Sequence, residues 1–205
     1  MIRAAVVPAL ILVAAVACTH RVEVVLAPPY GLSSSARTEP SRRLSSVRPP
    51  IVFRPGTFAD KRPDTTRLAS WQHGFHTYRV VSKVAVSTFV LDGLGHVFRD
   101  AGHVWADSGT IRVDVEVLSI GAAMYAGFTT VGGASHMSIR LVFADVATNA
   151  VIYDGTYKGI FDEDFGIEAV VPVVKINRAL ENAIADCVQR VSVDTLLIAA
   201  LQPKR

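Results

Sequence analysis

Apolar and charged positions alternate most strictly in Ile111-Arg112-Val113-Asp114-Val115-Glu116-Val117. A period of two puts the aliphatic side chains on one face and the charges on the other, the pattern of a half-buried strand. Met137, Ile139, Leu141 and Phe143 repeat it. Thr148-Asn149 then turns the chain into Val151-Ile152-Tyr153 and on through Tyr157, which predicts a hairpin. A shorter strand is predicted at Ile51-Val52-Phe53, ahead of a charged turn, Asp60-Lys61-Arg62-Pro63-Asp64. Between these strands the period changes. Val84, Leu91, Leu94, Phe98 and Ala101, with Val90 and Val97 beside them, recur at helical spacing, and Gly102 supplies the stop. Gly93 and Gly95 weaken this helix locally, for which close packing against the sheet is the expected reason. A last helix opens near Pro172. Val173, Ile176, Leu180, Ile184, Cys187, Val191 and Ile198 form its buried stripe, with Lys175, Arg178, Glu181, Asp186 and Arg190 mostly opposite. Strand, helix, three strands, helix predicts an α+β, two-layer fold: a mostly antiparallel four-stranded sheet with two helices on one face.

The N-terminus has a different pattern. Fourteen uncharged, mostly aliphatic residues, Ala4 to Ala17, stand between Arg3 and Cys18. A stable membrane span needs ~20 apolar residues, whereas an export signal uses ~7–15 behind a positive start. Ala15-Val16-Ala17-Cys18 resembles a bacterial lipobox, with Ala15 where Leu is usual. The favoured reading is lipidation of Cys18; an ordinary signal cut after Ala17 and an uncleaved anchor compete with it. Val22-Glu23-Val24-Val25-Leu26 is short enough to be an edge strand, ended by Pro28-Pro29. Gly31 to Pro50 is rich in Ser, Pro and Arg and has too little apolar material to offset ordering. Residues 1–17 are therefore expected to be a lipoprotein signal peptide, 18–50 the lipidated Cys18 and a tether, and 51–202 the globular domain.

Without its first 17 residues the chain keeps 188 of 205, enough for one domain plus a tail. Loss of Arg3 takes the formal charge from +3 to +2. That balance, with no Lys/Arg block interleaved with aromatics, argues against nucleic-acid binding. Of the two cysteines, Cys187 is left without an intramolecular partner if Cys18 carries lipid. Its spacing from Ile184 and Val191 makes it a buried thiol packing as a small hydrophobe.

The residues that bear chemistry form no recognisable catalytic set. His73-x-x-His76 has no third ligand at motif spacing, so no metal is expected. His96 and His103 flank the predicted end of the first helix, where the dipole favours a histidine. Asp162-Glu163-Asp164 reads as a hydrated acidic turn without the spacing of a calcium loop. Asp60 and Arg62 read as a local ion pair rather than an acid/base couple. The segment Gly121 to Ser135 is far longer than the ~2–5 residues a hairpin needs. Its apolar residues Met124, Tyr125, Phe128 and Val131 are candidate partner contacts. Alternatively, the strands extend through Ala123 and Thr130 as one long hairpin.

Taken together, the lipobox, the opening strand leading to Phe58-Ala59-Asp60-Lys61-Arg62 and the helix ending Phe98-Arg99-Asp100-Ala101-Gly102 resemble small bacterial envelope lipoproteins of the YajG type. So do the central hairpin and the terminal helix with Asp194 and Leu197 near its end. More loosely the chain is similar to the LptE-like and ABC-transporter-auxiliary lipoproteins. The resemblance implies a periplasm-facing, membrane-tethered domain that binds or scaffolds something, and it carries over no catalytic residues. The expectation is a non-enzymatic, lipid-anchored lipoprotein of the cell envelope, without cofactor, that engages an envelope protein. The alternative is an auxiliary lipid- or glycolipid-binding subunit of a transport system, with an apolar ligand between helices and sheet. Thr19 after the cysteine, by resemblance to enteric sorting rules, favours the outer membrane over the inner.

Overall fold

The computed structural model describes residues 18–26, 44–73, 76–126, 131–164 and 172–203. Its strands are β1 (Cys18–Val24), β2 (Val52–Asp60), β3 (Ala69–His73), β4 (His76–Ser82), β5 (Val104–Trp105), β6 (Ile111–Ala126), β7 (Val131–Asp145) and β8 (Val151–Asp164). The helices are α1 (Val86–Asp100), α2 (Pro172–Gln189) and α3 (Thr195–Leu201), with a 3-10 turn at Arg190–Val193. Two sheets result, one of five strands ordered β5-β2-β6-β7-β8 and one of three ordered β1-β4-β3.

The α+β class stands, but the arrangement differs from a four-stranded antiparallel sheet under two helices. Strand β2 pairs in parallel with both β5 and β6, so the larger sheet is mixed. A strand that continues through Pro55-Gly56 to Asp60 hides its alternation behind a register shift between Pro55 and Phe58. Asp114 of β6 closes that irregularity, accepting from the Thr57 amide at 2.7 Å and the Thr57 hydroxyl at 3.0 Å. The charged sequence that follows is a loop, and the chain beyond it forms β3 and β4 of the second sheet.

The predicted hairpins are present and longer than expected. Asn149, at φ 57°, turns β7 into β8, while Asp145 accepts from the Thr148 amide and hydroxyl, each at 2.8 Å. Strands β6 and β7 pair out to Ala126 and Val131. The stretch from Gly121 is thus the long hairpin rather than a loop. Asp162, Glu163 and Asp164 also lie on a strand, opposite Ala134, Gly133 and Gly132, and not in a turn.

Helix α1 ends as predicted. Gly102 at φ 83° lets the His103 amide reach the Phe98 carbonyl at 2.9 Å. Gly95 lies under the Trp105 ring of β5, where a Cβ would collide with it. The terminal helix is two helices, not one. The Asp194 carboxylate caps α3, accepting from the Leu196 and Leu197 amides at 2.9 and 3.2 Å. It also accepts from the Tyr153 and Tyr157 hydroxyls at 2.5 and 2.8 Å, which fastens α3 to β8. Burial would raise this carboxyl; the four donors outweigh it and hold it below the ordinary aspartate value.

The core lies between the helices and the larger sheet. Phe53 of β2, Phe98 of α1 and Phe143 of β7 are fully buried. Phe53 and Phe98 stack at 4.3 Å, and Phe143 meets both edge-on. Helix α2 presses closely on β7 and β8. Ser135 donates to the Ala179 carbonyl at 2.6 Å, and Cys187, fully buried as its spacing predicts, donates to the Tyr157 carbonyl at 3.4 Å. Burial pushes the Cys187 thiol up to about 12. At the free edge of β8, Asp186 accepts the Ile160 amide at 3.1 Å and is held by Arg190 at 3.0 Å.

The region expected to be a tether is attached to the body at both ends. Cys18–Val24 pairs in parallel with β4 from Cys18 opposite His76 to Val24 opposite Ser82. Leu44 and Val47 are buried in the core, so the folded part does not begin at residue 51. Residues 27–43 fall outside the described residues, as do 1–17. His103 ties down the second end and is not a charged partner of the helix dipole. Its Nδ1 accepts the Ile51 amide at 3.2 Å, and its Nε2 lies 3.1 Å from the Leu44 carbonyl, so the neutral Nε2–H tautomer satisfies both. Burial lowers its pKa; the bond to Leu44 opposes this and the charge of Arg48 adds to it.

Two outcomes are expected. Glycine 159 faces α2 so closely that a Cβ would overlap the Ala183 carbonyl and the Cys187 amide. Gly159→Ala should cost about 2–4 kcal/mol in urea denaturation, in the upper range of overpacking penalties. For His103, a lowered pKa means that the unfolded chain takes up the proton first as the solution acidifies. The stability tied to its neutral form is complete above the ordinary value of about 6.5 and is lost below it. The melting temperature should therefore fall as the pH drops below about 6.5. His103→Gln, less stable at the upper pH, should show a shallower fall.

Candidate binding groove

Beyond Asp60 the chain leaves β2, yet the Lys61 amide still donates to the Val117 carbonyl at 2.9 Å. The loop that follows is built on Arg62, whose side chain is almost wholly buried. Its guanidinium grips both Asp60 oxygens, Nε to Oδ1 at 2.8 Å and Nη2 to Oδ2 at 2.6 Å. Nη1 donates to the Arg67 carbonyl at 2.8 Å and Nη2 to the Thr65 carbonyl at 3.2 Å. The fork of Arg suits this closed set of acceptors. Burial alone would raise the Asp60 carboxyl, but the bonds and charge of Arg62 outweigh it and keep the group below its ordinary value. The ion pair read in the sequence is thus a structural clamp. Asp64 closes the next turn, accepting from the Thr66 amide at 3.0 Å and pairing with Arg67 at 3.0 Å. The Leu68 amide then joins Val80 at 2.8 Å, and β3 begins.

This rigid loop and the start of β3 form one wall of a groove of about 510 Å³. The other wall is the second half of β6 and the first half of β7, with Ile160 of β8. A register shift between Val117 and Ser119 redirects β6 there. Beyond it the paired residues are small: Ala122 lies opposite Ser135 and Ala123 opposite Ala134, and Gly121 carries the His136 ring across the strand pair. Small side chains on two neighbouring strands create the space. Leu118, Ile120 and Ile160 make an apolar part of the lining; Ser70, Asp64, Arg67 and His136 make a polar part. Such a surface suits binding an extended or flat partner with both apolar and polar groups.

The predicted site residues fall unevenly around this groove. Met124, Tyr125 and Val131 lie on the paired backbone of the β6–β7 hairpin, just past the groove, opposite Gly133, Gly132 and Ala126. Phe128 lies outside the described residues. The same hairpin lines the groove with Gly121, Ala122, Ala123 and Ala134, small residues that an expectation of aromatic contacts does not include. The repeated small residues on both arms were the available signal. His73 and His76 are register partners across residues 74–75. Cys18 is the first residue of β1. Among the described residues no group of three or more His, Cys, Asp or Glu is placed to hold a metal ion. Among them, too, no helix is long and apolar enough to cross a membrane.

A mixed sheet backed by helices, with a smaller sheet beside it, defines a two-sheet α+β domain. Protein XCC0632 from Xanthomonas campestris, of the family DUF330, has a similar fold: TM-score 0.51 at 11% identity, over 75% of this chain and 88% of that one. A candidate lipoprotein from Caulobacter crescentus aligns with a TM-score of 0.43 at 12% identity, over 80% of this chain and 97% of its own. Lipoprotein GNA1162 from Neisseria meningitidis aligns at 0.36 and 8% identity, over 61% and 90%. Neither a family model nor a curated protein sequence matches the chain. At 11% identity the likeness to XCC0632 shows a shared fold and nothing beyond it.

Removing the clamp should loosen this wall. Arg62→Ala leaves Asp60 and two carbonyls without their donor, and is expected to cost about 3 kcal/mol. Arg62→Lys should recover only part of this, because an ammonium cannot reproduce the two-pronged bond. Urea midpoints of the three proteins test the order.

Proposed function

We propose that this chain is a non-enzymatic lipoprotein of the bacterial cell envelope, anchored through acyl chains on Cys18, whose domain binds another envelope component. The observation that carries the binding role is the groove between the Arg62 loop and the β6–β7 hairpin. One wall is held by the four hydrogen bonds of the Arg62 guanidinium, and the lining mixes small apolar surface with a few polar groups. The anchor rests on the lipobox, since several acyl chains hold a protein on a membrane far better than one. Thr19 directs it, on the same reading, to the periplasmic face of the outer membrane. A lipid or glycolipid carrier is the second reading. Phe53, Phe98 and Phe143 fill the space between helices and sheet, so an apolar ligand on that reading occupies the open groove.

Two measurements test the proposal. Cys18→Ser should move the protein from the membrane to the soluble periplasmic fraction; quantitative retention on the membrane would put the anchor elsewhere. A photo-crosslinking residue at Ala123 or Ile160 should give a discrete adduct in intact cells, abolished by Ala134→Trp with the melting temperature unchanged. An adduct of equal yield from Val151, an exposed position outside the groove, would remove the groove from the contact.

A further inference from the structure

Charge is divided along this chain in a way its small total conceals. Residues 18 to 83 hold eleven Lys and Arg against four Asp and Glu, a net of +7. Residues 84 to 205 hold nine against fourteen, a net of −5. The basic part is the part that begins at Cys18.

The smaller sheet displays some of this charge on one face. Val22, Val24 and Val80 turn toward the core. The alternate positions face outward, and the parallel register sets Arg21 beside Arg79. Both are exposed, and Lys83, just past β4, is bonded through its amide to the Val24 carbonyl at 2.9 Å. Glu23 is the acidic residue among them, 3.3 Å from Arg21 and 3.7 Å from Lys83. Two arginines side by side repel each other, and the single charge of Glu23 against Arg21, Arg79 and Lys83 leaves this face net positive. The charge of Arg79 also acts on Asp64, which already pairs with Arg67.

We propose that this outward face of the smaller sheet lies on the membrane and that Arg21, Arg79 and Lys83 contact its anionic phospholipid headgroups. The inference rests on the reading of Cys18 as the anchored residue. Cys18 is also the first residue of β1, so no slack separates anchor from sheet. Arg21 follows three residues later, roughly 10 Å along the strand. Screening confines the pull of a charged surface to about 8 Å. A strand that leaves this anchor along the membrane surface, not away from it, keeps Arg21 within that range, and the charge then selects the face that turns down. One lipid attachment plus a basic patch is the pairing of signals that makes membrane contact stable.

The test uses the chain from residue 18 to its end, carrying Cys18→Ser, so that no acyl chain contributes. It should co-sediment with vesicles of phosphatidylcholine and phosphatidylglycerol, but not with phosphatidylcholine alone, and high salt should release it. Arg21→Gln, Arg79→Gln and Lys83→Gln combined should weaken that binding about a hundredfold without lowering the circular-dichroism melting temperature. Equal changes at Arg37, Arg42 and Arg43 should weaken it less. Full binding by the first triple variant, or a greater loss in the second, overturns the proposal. So does equal binding to both kinds of vesicle. Mass spectrometry of the wild-type N-terminus tests the anchor separately, since an unmodified Cys18 would refute lipidation without altering the vesicle result.

Discussion

The contact on which the structure most depends is the aromatic cluster of Phe53, Phe98 and Phe143. Each comes from a different element: a parallel strand, a helix and an antiparallel strand. Their burial brings together the two kinds of pairing that the mixed sheet contains. Strand β2 has no short connection to β5 or β6, so its place depends on packing rather than on a turn. The stack of Phe53 on Phe98 at 4.3 Å supplies that packing. Once β2 is fixed, Asp60 is fixed, and with it the Arg62 clamp and the wall of the groove.

Much of the larger sheet was legible because its signals are local. The alternation from Ile111 to Val117, the turn at Thr148-Asn149 and the stop at Gly102 each depend on residues close in sequence. What was missed depends on residues far apart or on competing patterns. The parallel pairing of β2 joins positions more than fifty residues apart, Phe53 with Ile111, and Pro55-Gly56 interrupts the strand's alternation. The break before α3 had a readable sign, an Asp followed by an apolar run. It was overridden because Val191 and Ile198 continue the stripe of the preceding helix. The groove was missed for a different reason: the reading sought large side chains, whereas the space arises where Ala122, Ala123 and Ala134 leave room.

The N-terminal segment shows how composition can mislead at its ends. Between residues 31 and 50 the sequence is mostly Ser, Pro and Arg, yet Leu44 and Val47 are fully buried. Two aliphatic side chains among prolines and arginines are enough to attach a segment when a prepared acceptor exists. That acceptor is His103, whose ring nitrogens meet the backbone at both Leu44 and Ile51. An uncharged imidazole is needed for this double role, which is why burial rather than the helix dipole decides its protonation.

Asp186 at the edge of β8 has a consequence beyond the helix that carries it. A fourteen-residue border strand would offer any passing chain a template for open-ended pairing. By taking up the Ile160 amide, the carboxylate interrupts that template in its distal half. A guest strand finds only a truncated seat, too short to seed stacking of copy upon copy. One charged side chain thereby acts as quarantine for the whole border.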